Sequence, residues 1–353
     1  MNSGMRARPW VGLDVGSFSA KLLALQPSPG GARYRHGEAL VRAADGSEAP
    51  PTAEGVARAI SDCFEQAELS PRSVRGVTLG ISGPDLIVKQ ISLPMLTDDE
   101  VGPALRFEAR KHLPFDPQSM VIDYQILGRY LSEKRIDVLL AAISQDRLDR
   151  ALAPLKLLGL EPDIVDAAPL ALTNGLRQEL GTEREACLQL DLGHVASHLT
   201  LWQKGEPYFS RRLDFGGRHL TEAIRAGNRI SFEEAEEWKL AAGSDQPGFR
   251  VDWHSPEMQA MLDSLRRDLV DDLRRSLAFY RTMGHLPDPL KLWISGGSSR
   301  LPGLSARLSE LLGFPVQLFN PFDRNGASEE PDDAPTGAGP QFAQALGLAL
   351  RSA

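Results

Sequence analysis

The sequence predicts an α/β protein of two similar lobes facing each other across a cleft, and three observations lead there. A β-β-β-α order is used twice, beginning near residue 10 and again near residue 186. The first hairpin of each copy carries the same turn: Leu13-Asp14-Val15-Gly16-Ser17 in one and Leu190-Asp191-Leu192-Gly193-His194 in the other. A further apolar strand, Leu292-Trp293-Ile294-Ser295, runs into Gly296-Gly297 and then a helix. An aspartate ending an apolar strand cannot bury its charge without a partner. The glycine two residues on lets the turn bend tightly and face its N–H groups outward, a shallow nest for an anion. Alone, such a turn is an ordinary β-turn with a solvated aspartate. Two facing each other form a clamp for a polyphosphate and its metal ion. The bare Gly-Gly lets a planar group or a phosphate approach the backbone closely. Neither GxGxxG nor a GxxxxGK P-loop occurs, so dinucleotide-fold and P-loop chemistry lose their main support.

Composition narrows the class. A chain of 353 residues is long for one core, and 42% hydrophobic content suits two well-formed ones. No apolar run approaches eighteen residues, so no membrane span is expected. Met1 to Pro9 has two arginines and no apolar stretch, unlike a signal peptide. Cys63 and Cys187 lie in apolar periodic stretches and are expected as buried thiols in a reducing compartment. A net charge of −8 with interspersed signs argues against a nucleic-acid surface. The histidines are scattered and no CxxC occurs, so no transition-metal site is expected.

Taken in order, strands are expected near 10–15, 18–26 and 33–42. A helix near 53–68 has Val56, Ala59, Ile60, Cys63, Phe64 and Ala67 on one face, and a strand follows near 74–81. An α/β insert over about 85–165 interrupts the repeat. Its first strand, Leu86 to Leu93, stops at Pro94. Thr97-Asp98-Asp99-Glu100 is a capping box opening a helix toward His112, which Leu113-Pro114-Phe115 ends. Strands near 120–127 and 136–143 precede a helix carrying Leu148, Leu152, Leu155 and Leu158, closed by Gly159 at C′. The second copy places strands near 186–191, 197–203 and 206–213, then a Gly216-Gly217 turn and a short helix at about 218–226. Ser231 to Glu234 caps another helix that runs through Lys239. The longest helix is expected from Pro256 to Met283, with Ser255 as N-cap, Gly284 as its stop and a solvated charged face. A helix follows over about Ser305 to Leu312. The acidic, Gly/Pro-rich residues 323–340 are expected as a mobile loop, and an apolar helix, Phe342 to Leu350, closes the chain. The first lobe is thus 8–84, completed by about 166–185 and 341–353. The second is 186–322, within which about 218–285 is a helical part.

These segments together resemble the actin–Hsp70–sugar kinase superfamily, with its bilobed, ribonuclease H-like fold, over nearly the whole chain. Asp14-x-Gly16-Ser17-x-Ser19-x-Lys21 resembles its first phosphate motif, and Asp191-x-Gly193 with Ser197 resembles the second. Ser295 to Gly303 resembles the adenosine motif. Glu236-x-x-Lys239 is similar to the helix pair that reaches the adenosine, and Gly216-Gly217-x-x-Leu220-Thr221 to the turn before it. Within the superfamily, the order of parts resembles the PilM family of type IV pilus assembly proteins. Ile91-Ser92-Leu93-Pro94, Glu108 to Phe115 and Val121 to Leu127 are similar to the extra subdomain of PilM and of the division protein FtsA. So are Leu157 to Pro162, Ala168 to Asn174 and the ending Ala345 to Arg351 to the corresponding parts of PilM. Neither the terminal amphipathic helix usual in FtsA nor the membrane span usual in the type II secretion protein GspL is expected.

The resemblance implies ATP and Mg²⁺ as ligands. Asp14 and Asp191 would hold the ion through water, and Lys21 would sit on the β/γ-phosphates. Gly16, Ser17, Ser19, Gly193 and Ser197 would cradle phosphate oxygens. Gly217, Gly296, Gly297, Ser298 and Arg300 would border the adenosine, with Glu236 on the ribose and Lys239 along the base, so that about 218–285 would be the adenosine-contacting part. No catalytic base is identified, so the chain is at most a weak ATPase. The implied partners are the N-terminal cytoplasmic tail of PilN, the pilus motor ATPases and further copies in a ring. The implied place is the cytoplasm, at the inner membrane through partners. Leu113 and Phe115 border the expected groove for the tail, or form a buried helix stop. One departure stands out: His194-Val195-Ala196 replaces the usual small residues of the second turn. Its imidazole either obstructs the γ-phosphate position or is an exposed turn residue without ligand contact. A small-molecule kinase on the same fold, and a type II secretion component, are the alternatives.

Overall fold

The computed structural model describes residues 8–28, 31–42, 51–111, 113, 116–180, 187–203, 206–242, 252, 254–282, 291–322 and 339–352. The chain opens with the meander β1 (Trp10–Val15), β2 (Ser19–Ser28) and β3 (Gly31–Leu40), then α1 (Ala53–Gln66) and β4 (Gly76–Ile81). The insert supplies β5 (Ile87–Pro94), α2 (Asp98–Ala109), β6 (Met120–Tyr130), β7 (Arg135–Ser144) and α3 (Gln145–Leu157). β8 (Ile164–Ala167) and α4 (Ala168–Leu180) lead to the second meander, β9 (Cys187–Leu192), β10 (Ser197–Gln203) and β11 (Glu206–Leu213). Next come α5 (Gly217–Asn228), α6 (Phe232–Ala242), α7 (Pro256–Ser264) and α8 (Asp271–Thr282). The last elements are β12 (Leu292–Ser295), α9 (Leu304–Leu312), β13 (Val316–Leu318) and α10 (Ala343–Ala349).

The helix starts follow their capping residues. Thr52 accepts the Gly55 N–H at the head of α1. At α2 the Glu100 carboxylate accepts from the Thr97 N–H at 2.9 Å. At α6, Ser231 and Glu234 exchange N–H bonds of 2.8 and 3.1 Å. Gly159 follows α3 with φ +62, the left-handed stop expected of it. The long helix differs from expectation. Leu265–Val270 between α7 and α8 is a π-helical segment. Its buried positions run Leu262, Leu265, Leu269, Val270, Leu273 and Leu277. The apolar stripe slips by one residue at Leu269–Val270, and a wider turn keeps both side chains on the core.

Two sheets carry the architecture. The first has the order β3-β2-β1-β4-β8, and the second begins with the matching order β13-β12-β9-β10-β11. In each, the meander is antiparallel and the two remaining strands are parallel. The repeat in the sequence is therefore a repeat of five-stranded sheets, with the short β8 and β13 as unexpected fifth strands. The insert does not form a separate sheet. β5, β7 and β6 extend the second sheet beyond β11, joined there by the single pair Phe209–Lys89. α3, by contrast, sends Leu155 into the first-lobe core beside Ile60 and Phe64 of α1. Between the lobes, α4 and α10 share a third core with Trp202, Phe319 and Phe322. Cys63 and Cys187 are buried free thiols, and burial pushes both up to about 12. Among the described residues no helix is long and apolar enough to cross a membrane. The expected loop at 323–340 lies outside the described residues up to 338, as do Pro114 and Phe115.

Candidate functional site

Strand register assembles the site. On paired strands, residues directly opposite share a face of the sheet. In the first lobe Asp14 faces Lys21, which faces Glu38. In the second, Asp191 faces His198, which faces Arg212. The two repeats thus present parallel rows, acid–lysine–glutamate and acid–histidine–arginine. All six line one cavity of about 440 Å³ between the lobes, with Gly16, Ser17, Ser19, Gly193, Gly296, Gly297, Ser298 and Arg300.

The floor is an electrostatically unbalanced cluster. Lys21 Nζ lies 3.8 Å from Asp14 Oδ2 and donates to the Ser19 carbonyl at 3.4 Å. Ser19 Oγ donates to Glu38 at 2.7 Å. Asp191 accepts from Ser295 Oγ at 3.1 Å and from Gln344 Nε2 at 2.7 Å. Three acids therefore share one ammonium. Burial raises the Asp14 pKa against the pull of Lys21. Burial, and then the Asp14 charge, raise Asp191 to about 6. A divalent cation is what such a pair of buried, mutually repelling carboxylates fits. Magnesium commonly takes one or two carboxylates and keeps several waters. His194 and His198 are four residues apart but sit on a turn and a strand. Among the described residues no group of three or more His, Cys, Asp or Glu converges as a metal cage.

The walls of the cavity are braced. Gly296 has φ +88, and a Cβ there would lie 2.5 Å from the Leu192 carbonyl, so the Gly-Gly turn admits only glycine at this point. Gly217 does not line the cavity. Its N–H donates to the Gly193 carbonyl at 2.8 Å, as does Ser298 Oγ at 3.0 Å, and together they hold the second turn. Lys239 Nζ donates to the Gly217 carbonyl, Thr221 Oγ1 and Glu236 at 3.1, 2.8 and 2.7 Å, so its three protons are used inside the wall. Burial lowers its pKa, against the Glu236 charge.

Several expected residues behave differently. Ser197 is fully buried, and its hydroxyl donates to the Phe215 carbonyl at 2.6 Å rather than facing the cavity. Leu113 is 7% exposed and packs with Val101, Leu105 and Ala109, so it is a core residue of the insert, the buried helix stop of the two readings. His194 is not an exposed turn residue. It lines the cavity, and its ring lies 4.9 Å from that of Phe18, so the two turns touch across the cleft. Burial, helped by Lys239, lowers its pKa to about 4. The sequence had not singled out Glu38, His198, Gln341 or Gln344. His198 stands where the repeat places Lys21. Its Nε2 is buried without a hydrogen-bond partner among the described residues, and burial lowers its pKa to about 4. Its signal was its place, seven residues after Asp191, as Lys21 is seven after Asp14.

Comparison with known proteins agrees with this architecture. A model of the family described as type IV pilus assembly protein PilM matches residues 12–353. A solved PilM–PilN type IV pilus biogenesis complex is similar with TM-score 0.78 and 27% identity, covering 97% of both chains. Cell division protein FtsA of Borreliella burgdorferi is 24% identical over 186 residues, 48% of this chain and 43% of that protein. The match thus spans less than half of that curated relative. Ethanolamine utilization protein EutJ from Carboxydothermus hydrogenoformans shares the fold alone, at TM-score 0.52 and 16% identity over 96% and 88% of the chains. The fold is the bilobed actin-like one, with the added strands of the insert.

Proposed function

We propose, from the premise that this chain belongs to the family of type IV pilus assembly protein PilM, that it is an ATP-binding scaffold of the pilus assembly complex. The observation that carries the nucleotide part is the pair of Asp-x-Gly turns on one cavity, with Lys21 between their acids. Asp14 and Asp191 hold Mg²⁺ through water, and Lys21 is the point charge on the β/γ-phosphates. Bound magnesium would screen the charge between phosphate oxygens and the two carboxylates. Backbone amides at Ser17 and Gly193 receive phosphate oxygens, whereas the Gly16 N–H, expected beside them, donates to the Ser19 carbonyl at 3.1 Å and closes the first turn. Gly296 and Gly297 give the adenine and ribose a close approach, flanked by Ser298 and Arg300. Glu236 accepts from ribose hydroxyls. Lys239, with its ammonium saturated, offers only its methylene stem to the base.

Hydrolysis is expected to be slow. A general base works best with a pKa near the operating pH; both cavity imidazoles lie near 4, too weak to draw a proton from water at neutral pH, and Asp191, at about 6, is committed to the cation in this reading. A ligand touching both lobes favours the closed cleft and so biases the surface shown to partners. The similar complex pairs PilM with PilN. By that likeness the partner of this chain is the N-terminal tail of PilN, with Phe115 at the groove and attachment to the inner membrane made through that protein. Pilus motor ATPases and a ring of copies complete the proposed assembly.

Isothermal titration with ATP, ADP and a synthetic PilN tail peptide, with and without magnesium, tests this reading. Binding of ATP and peptide is expected. Absence of ATP binding would remove the nucleotide part, and phosphate transfer to a sugar or acid would replace the scaffold by a kinase.

A further inference from the structure

The last helix carries an anomaly. α10 is apolar, with Ala343, Ala345, Leu346, Leu348 and Ala349 all in the core, yet Gln341 and Gln344 at its head are only 4% and 7% exposed. A buried glutamine gives up hydration and rotamer freedom, so each needs a partner. The partners are acids of opposite lobes. Gln344 Nε2 donates to Asp191 Oδ2 at 2.7 Å, and Gln341 Nε2 donates to Glu38 Oε2 at 3.3 Å. Gln341 Oε1 in turn accepts the Gly339 N–H at 3.2 Å. The other Glu38 oxygen accepts from Ser19, whose carbonyl accepts from Lys21. One turn of chain, three residues apart, therefore touches both phosphate half-sites.

Its seat is stiff. A Cβ on Gly12 would lie 2.0 Å from the Ala345 carbonyl, and one on Gly347 would lie 1.8 Å from that of Ala171. Backbone meets backbone at both places, leaving no side chain to yield. The Gly296 N–H donates to the Pro340 carbonyl at 2.9 Å, tying the same turn to the Gly-Gly strand end. The choice of amide also matters. A lysine or arginine on Asp191 would cancel its charge and compete with a cation. An amide fixes the carboxylate's direction and leaves the charge in place.

We propose that Gln344 is a positioning residue that aims Asp191 at the metal of a bound nucleotide, and that Gln341 does the same for the Glu38–Lys21 side. The C-terminal turn then sets the spacing between the two half-sites. This rests on the nucleotide reading of the cavity. The test is calorimetric titration of the full chain with ATP, once in EDTA and once with magnesium. Gln344→Met keeps the buried volume and removes the donor, and Gln344→Glu keeps the shape and replaces the donor by an acid. Affinity for magnesium–ATP is expected to fall at least tenfold in Gln344→Met and further in Gln344→Glu, while metal-free ATP affinity stays within twofold. Gln341→Met is expected to lower both affinities alike, because its chain leads to Lys21. A merely structural glutamine would shift the melting temperature and leave the ratio of the two affinities unchanged, and that result overturns the proposal. Should Gln344→Glu not fold, Gln344→Met alone decides. A wild-type chain that binds no nucleotide overturns the function and this inference together. Wild-type binding with an unchanged metal dependence in Gln344→Met overturns this inference only.

Discussion

Asp191→Asn should make the nucleotide-free protein more stable, although Asp191 is expected to be essential for magnesium–nucleotide binding. The magnitude follows from the acid's surroundings. Burial and the facing Asp14 raise its pKa from 3.8 to about 6. At ~1.4 kcal/mol per pH unit, that rise corresponds to about 3 kcal/mol held against the folded state when the group is ionised. The sign is that of an acid whose folded pKa is raised. Below about 3.8 the carboxyl is neutral in both states and the penalty is absent. As pH rises through 4 to 6 the unfolded chain loses its proton first, and above about 6 the penalty is complete. Asparagine keeps the shape and carries no charge at any pH; its oxygen accepts from Ser295, and the Gln344 amide turns over so that its oxygen accepts from the new Nδ2. For a chain of this length the unfolding entropy is about 0.7 kcal/mol per kelvin, so the melting temperature should rise by roughly 4 °C at pH 7. Differential scanning fluorimetry in EDTA, from pH 4 to pH 7.5, measures it. The gap between variant and wild type should close toward pH 4. A variant no more stable than wild type at pH 7, or a gap that is flat with pH, would refute the electrostatic account of the floor.

Lys21→Ala should weaken magnesium–ATP by roughly 1–3 kcal/mol, the size of a lost charge-assisted contact, and unchanged affinity by calorimetry would show that Lys21 does not meet phosphate. Wild-type turnover should stay below the ~1–10³ s⁻¹ usual for enzymes in a phosphate-release assay. His194→Ala should raise nucleotide affinity or turnover by removing the ring that meets Phe18, and no change in either would leave the ring pair without a role. Leu113→Ala should cost roughly 2–5 kcal/mol of stability in a denaturant titration, as a large-to-small core change does. It should leave the PilN-tail affinity intact, and the opposite pattern would return Leu113 to the docking surface.

That the two Asp-x-Gly turns meet on one cavity was legible because each turn is local. Asp14 and Gly16, or Asp191 and Gly193, stand within one turn, and repetition of the turn revealed two lobes. What the sequence hid depends on which strands and helices meet. His198 and Glu38 enter the cavity through strand register, which local periodicity does not encode. β8 and β13 have four and three residues, too few for an alternating pattern to declare itself. Gln341 and Gln344 carried no signal beside an apolar helix, since only the folded chain brings acids 303 and 153 positions away against them. Of the two readings the sequence left open for Leu113, the buried helix stop is the one seen, because its side chain packs with Val101, Leu105 and Ala109, a contact that helix spacing alone suggests but does not decide.

The eight-stranded sheet changes ownership in its middle. Five of its strands belong to the second lobe and three to a stretch of chain that leaves and re-enters the first. β5 is bound to β7 by eight successive pairs, but to β11 by one. A backbone hydrogen bond contributes a net ~0.5–1.5 kcal/mol, so this line is the cheapest place for the sheet to part. Were the lobes to rotate relative to one another, the single β11–β5 pair would be the join to give, while the eight β5–β7 pairs would hold the insert's own strands together. The insert would then swing as one stiff vane, its angle a mechanical record of how far the cleft has opened.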